Sequence, residues 1–316
     1  MKQTFFVIAA LVYSTCSAQV LPNKNINLIV PFSVGTSGDL LARVSVADFA
    51  KGLEKTNTVE NSPLGSGQVA AEKFVKQQSD GSKLAIFNDA FINITPIFRK
   101  EQAKYTVNDM TPVGSMATVS FVLLTHPSLP TKTAKELITL ARKQEVPLTY
   151  ASSLGLGVST LLMEQLKLTT KANFTQINYN GNLAPMTDLI TGRIMIMFQG
   201  IPLATNAVRE NKLRALAVSR KHRSKLLPNV PTMAESGFAD FDEYSYFALF
   251  APKGATEETV NYLNAQLVKT LRDPAVLEKL DSLGMEIQSS TAPQLQNLIQ
   301  QKNLHYKKLA NLMGVL

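Results

Sequence analysis

The sequence predicts an α/β fold in which two lobes, each built on a parallel sheet, are joined by two crossover strands. Short runs of apolar and β-branched residues alternate with segments whose apolar residues recur at helical spacing, which is typical of parallel sheets covered by helices. Two apolar runs, at 119–130 and 244–252, are the candidate crossovers between the halves. A pair of α/β lobes joined by two strands forms a hinge.

The elements of the first lobe are expected near the amino terminus. The run INLIVPF at 26–32 predicts a buried strand, and the segment after it carries a helical apolar face formed by Leu40, Leu41, Val44, Ala47 and Leu53. Two more strands and one helix follow, with the strands at 57–61 and 82–88 and the helix at 68–78.

The middle of the chain predicts the same architecture again, with strands at 147–152, 174–180, 193–199 and 212–219 and helices at 158–168 and 183–191. Two C-terminal helices, at 256–273 and 291–314, each begin with a threonine suited to an N-cap and are expected to close over the first lobe. The predicted organisation is a signal peptide at 1–18, domain I at 19–121 and 247–316, and domain II at 122–246.

Residues 1–18 show the pattern of a cleavable secretory signal peptide. Lys2 precedes an apolar stretch at 5–13, and small residues lead to the expected cleavage site after Ala18. The apolar stretch is shorter than the roughly 18–20 residues that span a bilayer as a helix. Cleavage also removes Cys16, the single cysteine, whose lipidation is the alternative; Tyr13 stands where a lipoprotein signal has Leu, which favours simple cleavage.

Charge and motif content exclude several classes of function. The net charge of +8 is carried by dispersed cations, and export argues against a nucleic-acid partner. The densest basic run, at 220–225, is expected to be a solvated loop. No histidine has a partner at the HExxH spacing of a zinc site, and neither a nucleophile elbow nor a phosphate-binding P-loop is present. We therefore expect no enzymatic activity, no bound metal ion and no cofactor.

The segment GSGQVA at 65–70 matches the G-x-G-x-x-A pattern of dinucleotide-binding turns. In such a site the turn is tight, whereas Pro63 and Leu64 lengthen it here. An exported protein also rarely meets a nicotinamide cofactor. The motif alone is therefore only a weak indication of a dinucleotide site.

Five turns rich in small residues follow predicted strands, at 33–39, 88–90, 152–160, 178–182 and 198–202. Ligands of open α/β sheets bind at the carboxyl ends of the strands. Where such a turn leads into a helix, the first N–H groups lack intrahelical partners and can hold a carboxylate without a cationic side chain. Asp39 has two alternative roles at this edge: it caps its helix, or it accepts a hydrogen bond from the ligand.

These segments closely resemble the Bug family, the substrate-binding receptors of tripartite tricarboxylate transporters. INLIVPFSVGTSGD at 26–39 stands where that family reads I-x-L-I-V-P-F-P-P-G-G-x-x-D. The likeness continues through 59–84, 126–142, 150–157, 178–198 and 212–237, and so covers nearly all of the mature chain. The order of these motifs is more specific than any one of them.

The resemblance implies a periplasmic binding protein of the two-lobed Venus flytrap type (type II-like). Such a protein closes over a small carboxylate, held largely by backbone amides and ordered water, and presents it to the subunits of a membrane permease. The resemblance also implies a monomer without a cofactor. Two alternatives are a ligand sensor for a membrane sensor kinase and, less favoured, an exported α/β hydrolase.

Carried over by position, the resemblance assigns a set of ligand-binding residues. The first lobe contributes Phe32, Gly35, Thr36, Ser37, Asp39 and Asn88, and the second contributes Ser152, Ser153, Tyr179, Gly181 and Gln199. Three departures from the family pattern leave the identity of the carboxylate open. Thr36 replaces a glycine, Asn180 replaces a common cation, and Tyr246 stands at the position of the usual Trp.

Overall fold

The computed structural model of the protein describes residues 24–153, 156–179 and 183–316, with the side chains of 153 and 183 excepted. The predicted signal peptide, with Cys16 and the cleavage site after Ala18, lies outside the described residues, as do Asn180 and Gly181. No helix in the described part of the chain is long and apolar enough to cross a membrane.

The amino-terminal part follows the predicted order of elements. It contains β1 (Ile26–Val30), α1 (Ser37–Gly52), β2 (Asn57–Asn61), α2 (Gln68–Phe74), β3 (Lys83–Asn88) and α3 (Thr95–Phe98). A π-helical turn at Ala90–Ile94 leads directly into α3. The sequence did not predict the helical segment formed by this turn and α3, because the segment is too short to contain a recognisable amphipathic repeat.

The middle part begins with a long strand and then alternates helices with strands. It contains β4 (Met110–Thr125), α4 (Ala134–Lys143), β5 (Leu148–Ser153), α5 (Val158–Thr170), β6 (Phe174–Tyr179), α6 (Leu183–Ile190), β7 (Ile196–Gly200), α7 (Ile201–Arg209) and β8 (Arg214–Val218). The sequence did not predict α4 and α7. The first crossover strand also starts earlier than the apolar run at 119–130, and it ends before Pro127.

The C-terminal part contains β9 (Tyr244–Pro252), α8 (Glu257–Leu271), α9 (Pro274–Ser282), β10 (Met285–Ile287) and α10 (Ala292–Leu312). The second crossover strand has the predicted bounds. The predicted N-caps are confirmed, because the side chains of Thr256 and Thr291 accept from the N–H groups of Thr259 and Gln294.

The strands form a mixed sheet in the order β2-β1-β3-β9-β4-β7-β5-β6, with β8 and β10 also paired to β4. Pairing is parallel around β1 and around β5, as predicted. The prediction of parallel sheets is wrong at the centre, where β9 pairs antiparallel to both β3 and β4, and β4 antiparallel to β7. One crossover leaves the amino-terminal half and the other returns to it, so the two run in opposite directions.

The C-terminal helices contact both halves of the sheet. α8 and α9 share an apolar cluster with α1 and β1, as expected for helices that close over the first lobe. α10 differs, because Leu295 and Ile299 pack with residues of β3 and β9, whereas Tyr306 and Leu309 pack with residues of β5 and β7. α10 therefore bridges the two halves rather than covering one of them.

Candidate functional site

A cavity of about 570 Å³ opens where strand ends from both halves of the sheet meet. The ends of β1, β3 and β7 reach it through Pro31, Asn88 and Gln199. The two crossover strands also line it, through Val119 and Phe121 of β4 and Ser245 and Phe247 of β9. The cavity thus lies at the sheet edge where the sequence predicts the ligand.

Two helix amino termini, one from each half, line this cavity. α1 contributes residues 36–38 and α5 contributes residues 157–159. Neither N-cap residue, Thr36 or Gly157, makes a side-chain cap; the Thr36 hydroxyl donates instead to the carbonyl oxygen of Ser33, at 2.7 Å. The first N–H groups of both helices lack intrahelical acceptors and lie at the positive end of the helix dipole. The cavity wall therefore includes one helix amino terminus suited to an anion from each half of the sheet.

The carboxylate of Asp39 does not cap the first turn of its helix, and it has partners within the protein. Its buried carboxylate accepts hydrogen bonds from the Gly35 N–H at 2.8 Å, from Arg43 Nε at 3.0 Å and from Asn61 Nδ2 at 2.8 Å. Burial acts to raise the pKa of Asp39, but the hydrogen bonds from Arg43, Gly35 and Asn61 outweigh it and hold the pKa below its ordinary value. Asp39 thus fixes the loop that leads into α1.

Aromatic rings form an apolar wall of the cavity. The Phe32 ring packs edge-on against Phe91 and Phe247, with centroids 5.6 and 5.7 Å away. A Cβ atom at Gly38 would lie 2.2 Å from Cδ2 of Phe32, so the ring can occupy this place only because residue 38 is glycine. The cavity is therefore suited to a ligand with an apolar body.

The structure brings together five of the residues that the resemblance assigns to the ligand, namely Phe32, Thr36, Ser37, Asn88 and Gln199. Gly35, Asp39, Ser152 and Tyr179 do not line the cavity. The side chain of Ser153 and all of Gly181 lie outside the described residues. A direct ligand contact by any of these residues stays a prediction.

The predicted residues outside the cavity wall have partners within the protein. The N–H of Gly35 donates to Asp39, and the Ser152 hydroxyl lies 2.9 Å from that of Thr160. The Tyr179 hydroxyl donates to Asp188 at 2.8 Å, and desolvation together with that carboxylate raises the pKa of Tyr179 to about 12. These contacts hold the turns behind the cavity wall.

Sequence reasoning missed Arg99, which follows α3 and lines the cavity. Among the described lining residues it is the one charged side chain. The cavity therefore contains a cation in addition to the helix amino termini. Arg99 carried no signal in the sequence, because the π-helical turn and short helix that bring it to the cavity were not predicted.

This α/β fold, with a cavity at its crossover strands, is the fold of periplasmic solute-binding proteins of known structure. The chain belongs to the tripartite tricarboxylate transporter receptor family (TctC), which matches residues 41–315. This is a family of periplasmic solute receptors rather than of enzymes, in agreement with the expectation from the sequence. The resemblance to Bug proteins is confirmed by Protein BugT of Bordetella pertussis, which is 28% identical over 93% of this chain and 90% of its own length.

Solved structures show the same fold. The periplasmic binding protein BugD is 26% identical in sequence, and its structure superposes with a TM-score of 0.83 over 93% of this chain and 99% of its own. An R. palustris protein with adipate is 27% identical, with a TM-score of 0.86 over 93% of this chain and 98% of its own. MatC of Rhodopseudomonas palustris, with bound malate, is 26% identical, with a TM-score of 0.81 over 92% of this chain and 99% of its own.

Proposed function

We propose that this protein binds a small carboxylate in the cavity and presents it to the permease subunits of a tripartite-type transporter. The observation that carries the proposal is the pair of uncapped helix amino termini, of α1 and α5, that line one cavity from the two halves. Backbone N–H groups in this position hold carboxylates well. The adipate and malate in the two relatives support the same chemistry.

A ligand that contacts both halves of the protein would stabilise a closed conformation relative to an open one. Domain I, at 19–121 and 247–316, and domain II, at 122–246, then move relative to each other about β4 and β9. Closure is favoured only by the difference in ligand affinity between the two states. In this proposal the protein acts as a periplasmic monomer after removal of its signal peptide.

The proposed roles differ among the predicted residues. Ser37 offers its N–H and hydroxyl to one carboxylate, while Asn88 and Gln199 supply neutral polar groups along the wall. Asp39 acts through the loop it holds rather than through a direct contact.

The proposal is tested by replacing the first residue of α1 with proline. Proline suits the first helical position but carries no N–H, and Thr36 before it is already extended, with φ −80° and ψ 165°. We expect Ser37→Pro to weaken the binding of adipate and malate about 10- to 100-fold, as fits one lost hydrogen bond to a charge. Isothermal titration calorimetry on the mature protein measures this effect.

Two controls separate the lost N–H from other effects. Ser37→Ala removes the hydroxyl but keeps the N–H, and should lose less affinity than Ser37→Pro. Glu257→Pro makes the same change at the exposed start of α8, far from the cavity lining, and should bind as the wild type does. Wild-type protein that binds none of a panel of mono-, di- and tricarboxylates would overturn the proposal. Unchanged affinity in Ser37→Pro would overturn the role of α1.

A further inference from the structure

The cavity contains a cation that has no counter-charge paired with it among the described residues. The guanidinium of Arg99 makes no ion pair or hydrogen bond with the described residues, although the side chain is half-buried. Arg43 and Lys302, by contrast, pair with carboxylates at 3.0 Å. A partly desolvated charge beside apolar walls is energetically unfavourable until a counter-charge arrives. Arg99 is therefore poised to receive an anion from solution.

Neutral polar side chains surround this cation. Gln68, Thr95 and Gln102 line the cavity together with Arg99, and we call these four residues the polar corner. Gln68 accepts from the Tyr105 hydroxyl at 3.0 Å and reaches the Thr95 hydroxyl at 3.4 Å. The polar corner thus offers hydrogen-bond donors beside the guanidinium fork, which matches a carboxylate in geometry.

The backbone that carries Arg99 is held in place from two sides. Asn93, in the π-helical turn, donates to the carbonyl of Ile299 at 3.0 Å and accepts from the Tyr246 hydroxyl at 2.6 Å. The Arg99 N–H then donates to the Thr95 carbonyl at 2.9 Å. Only the Arg99 side chain has to order when an anion binds, so the entropic cost is small.

We propose that the polar corner binds a second anionic group of the ligand, so that the receptor selects dianionic solutes through Arg99. The inference rests on the proposed function, in which a first carboxylate lies at the helix amino termini. The aromatic wall of Phe32, Phe91 and Phe247 then contacts the apolar body between the two acidic groups. A monoanion of the same length leaves Arg99 unpaired and binds more weakly.

The size of the cavity agrees with such a ligand. Its volume of about 570 Å³ falls within the roughly 300–1,000 Å³ of pockets that bind small molecules. A chain of several carbons with a carboxylate at each end fits in this space, together with some bridging water.

The experiment compares each dicarboxylic acid from four to eight carbons with its own monoamide, which has the same shape and one charge fewer. Calorimetry at low salt should show the wild type binding the best diacid about 10- to 100-fold more tightly than its monoamide. Arg99→Gln should remove this preference, because it weakens the binding of the diacid much more than that of the monoamide. Raising the ionic strength should reduce the wild-type preference, because salt screens a partly exposed charge.

Lys100→Gln is the matched control. It also removes one positive charge, but from an exposed side chain at the next position in the sequence. It should keep the preference for the diacid. An Arg99→Gln protein that melts like the wild type and still prefers the diacid would overturn the inference and leave the proposed function standing. A wild-type protein that binds neither diacids nor monoamides would overturn both.

Discussion

The cavity and a second region, the buried charge cluster, differ in whether their polar groups are paired within the protein. We define the buried charge cluster as Asp89, Glu243, Lys302, His305 and Tyr306. In the cavity, the Arg99 guanidinium and the first N–H groups of α1 and α5 have no partner among the described residues. In the cluster, Lys302 lies 3.0 Å from Glu243, and the Tyr306 hydroxyl donates to Asp89 at 2.8 Å. Paired groups hold the fold together, whereas unpaired ones are available to a ligand.

The buried charge cluster joins three parts of the chain that lie far apart in sequence. Glu243 precedes β9, Asp89 follows β3, and Lys302, His305 and Tyr306 belong to α10. Lys302 also lies over the Tyr244 ring, 4.1 Å from its centroid, and His305 contacts Glu243. The cluster thus anchors α10 to the second crossover strand.

The two carboxylates of the cluster shift in opposite directions. Burial is the largest influence on both and acts to raise each pKa. For Glu243, the contacts from His305 and Lys302 outweigh burial and hold the pKa below its ordinary value. For Asp89 burial prevails, and the pKa rises to about 6. Charge pairing is therefore more complete at Glu243 than at Asp89.

Removal of the Lys302 ammonium group from the buried charge cluster should have the largest effect on stability. Lys302→Met leaves the Glu243 carboxylate buried with one fewer counter-charge, and we expect a loss of about 3–5 kcal/mol in the free energy of unfolding. Urea titration followed by circular dichroism measures the loss. Lys307→Met, on the exposed face of the same helix, should change stability by less than about 0.5 kcal/mol. Equal stabilities of the two variants would contradict the structural role of the pair.

Replacement of Asp89 should have the next largest effect on the free energy of unfolding, and the size of this effect should depend on pH. Its pKa is raised from 3.8 to about 6 in the folded protein, so the folded state binds a proton more tightly than the unfolded state does. Stability from this group is therefore fully present below pH 4 and is lost as the pH rises to 6. At about 1.4 kcal/mol for each pKa unit, the loss is on the order of 3 kcal/mol.

Asp89→Asn should remove this dependence, because the amide does not titrate. The difference in unfolding free energy between wild type and variant, measured by urea titration at several pH values, should decrease across pH 4–6. Asp240→Asn, at an exposed position, is the control and should follow the wild type. A constant difference between wild type and Asp89→Asn across this window would show that Asp89 does not titrate there.

Arg99→Gln should have the smallest effect on stability, which sharpens the contrast between the two regions. The Arg99 guanidinium has no partner among the described residues, so its removal breaks no pairing, and we expect a change within about 0.5 kcal/mol. Its effect should appear in ligand affinity instead. A loss of 2 kcal/mol or more in the ligand-free protein would mean that Arg99 supports the fold rather than the site.

The local parts of the structure were accessible from the sequence. The bounds of β2 and β9 and the threonine caps of α8 and α10 depend on short-range preferences and on apolar periodicity, which neighbouring residues determine. The family order of motifs also placed Phe32, Thr36, Ser37, Asn88 and Gln199 at the edge where the cavity lies.

The sequence by itself determined the alternation of elements, the sheet edge that holds the cavity and the family to which the chain belongs. Only the tertiary structure decided that the crossovers pair antiparallel, that Asp39 is held by Asn61, that Asp89 meets Tyr306 and that Arg99 enters the cavity. Helical and strand periodicities act over a few residues, whereas these contacts join distant segments whose approach depends on packing of the whole chain.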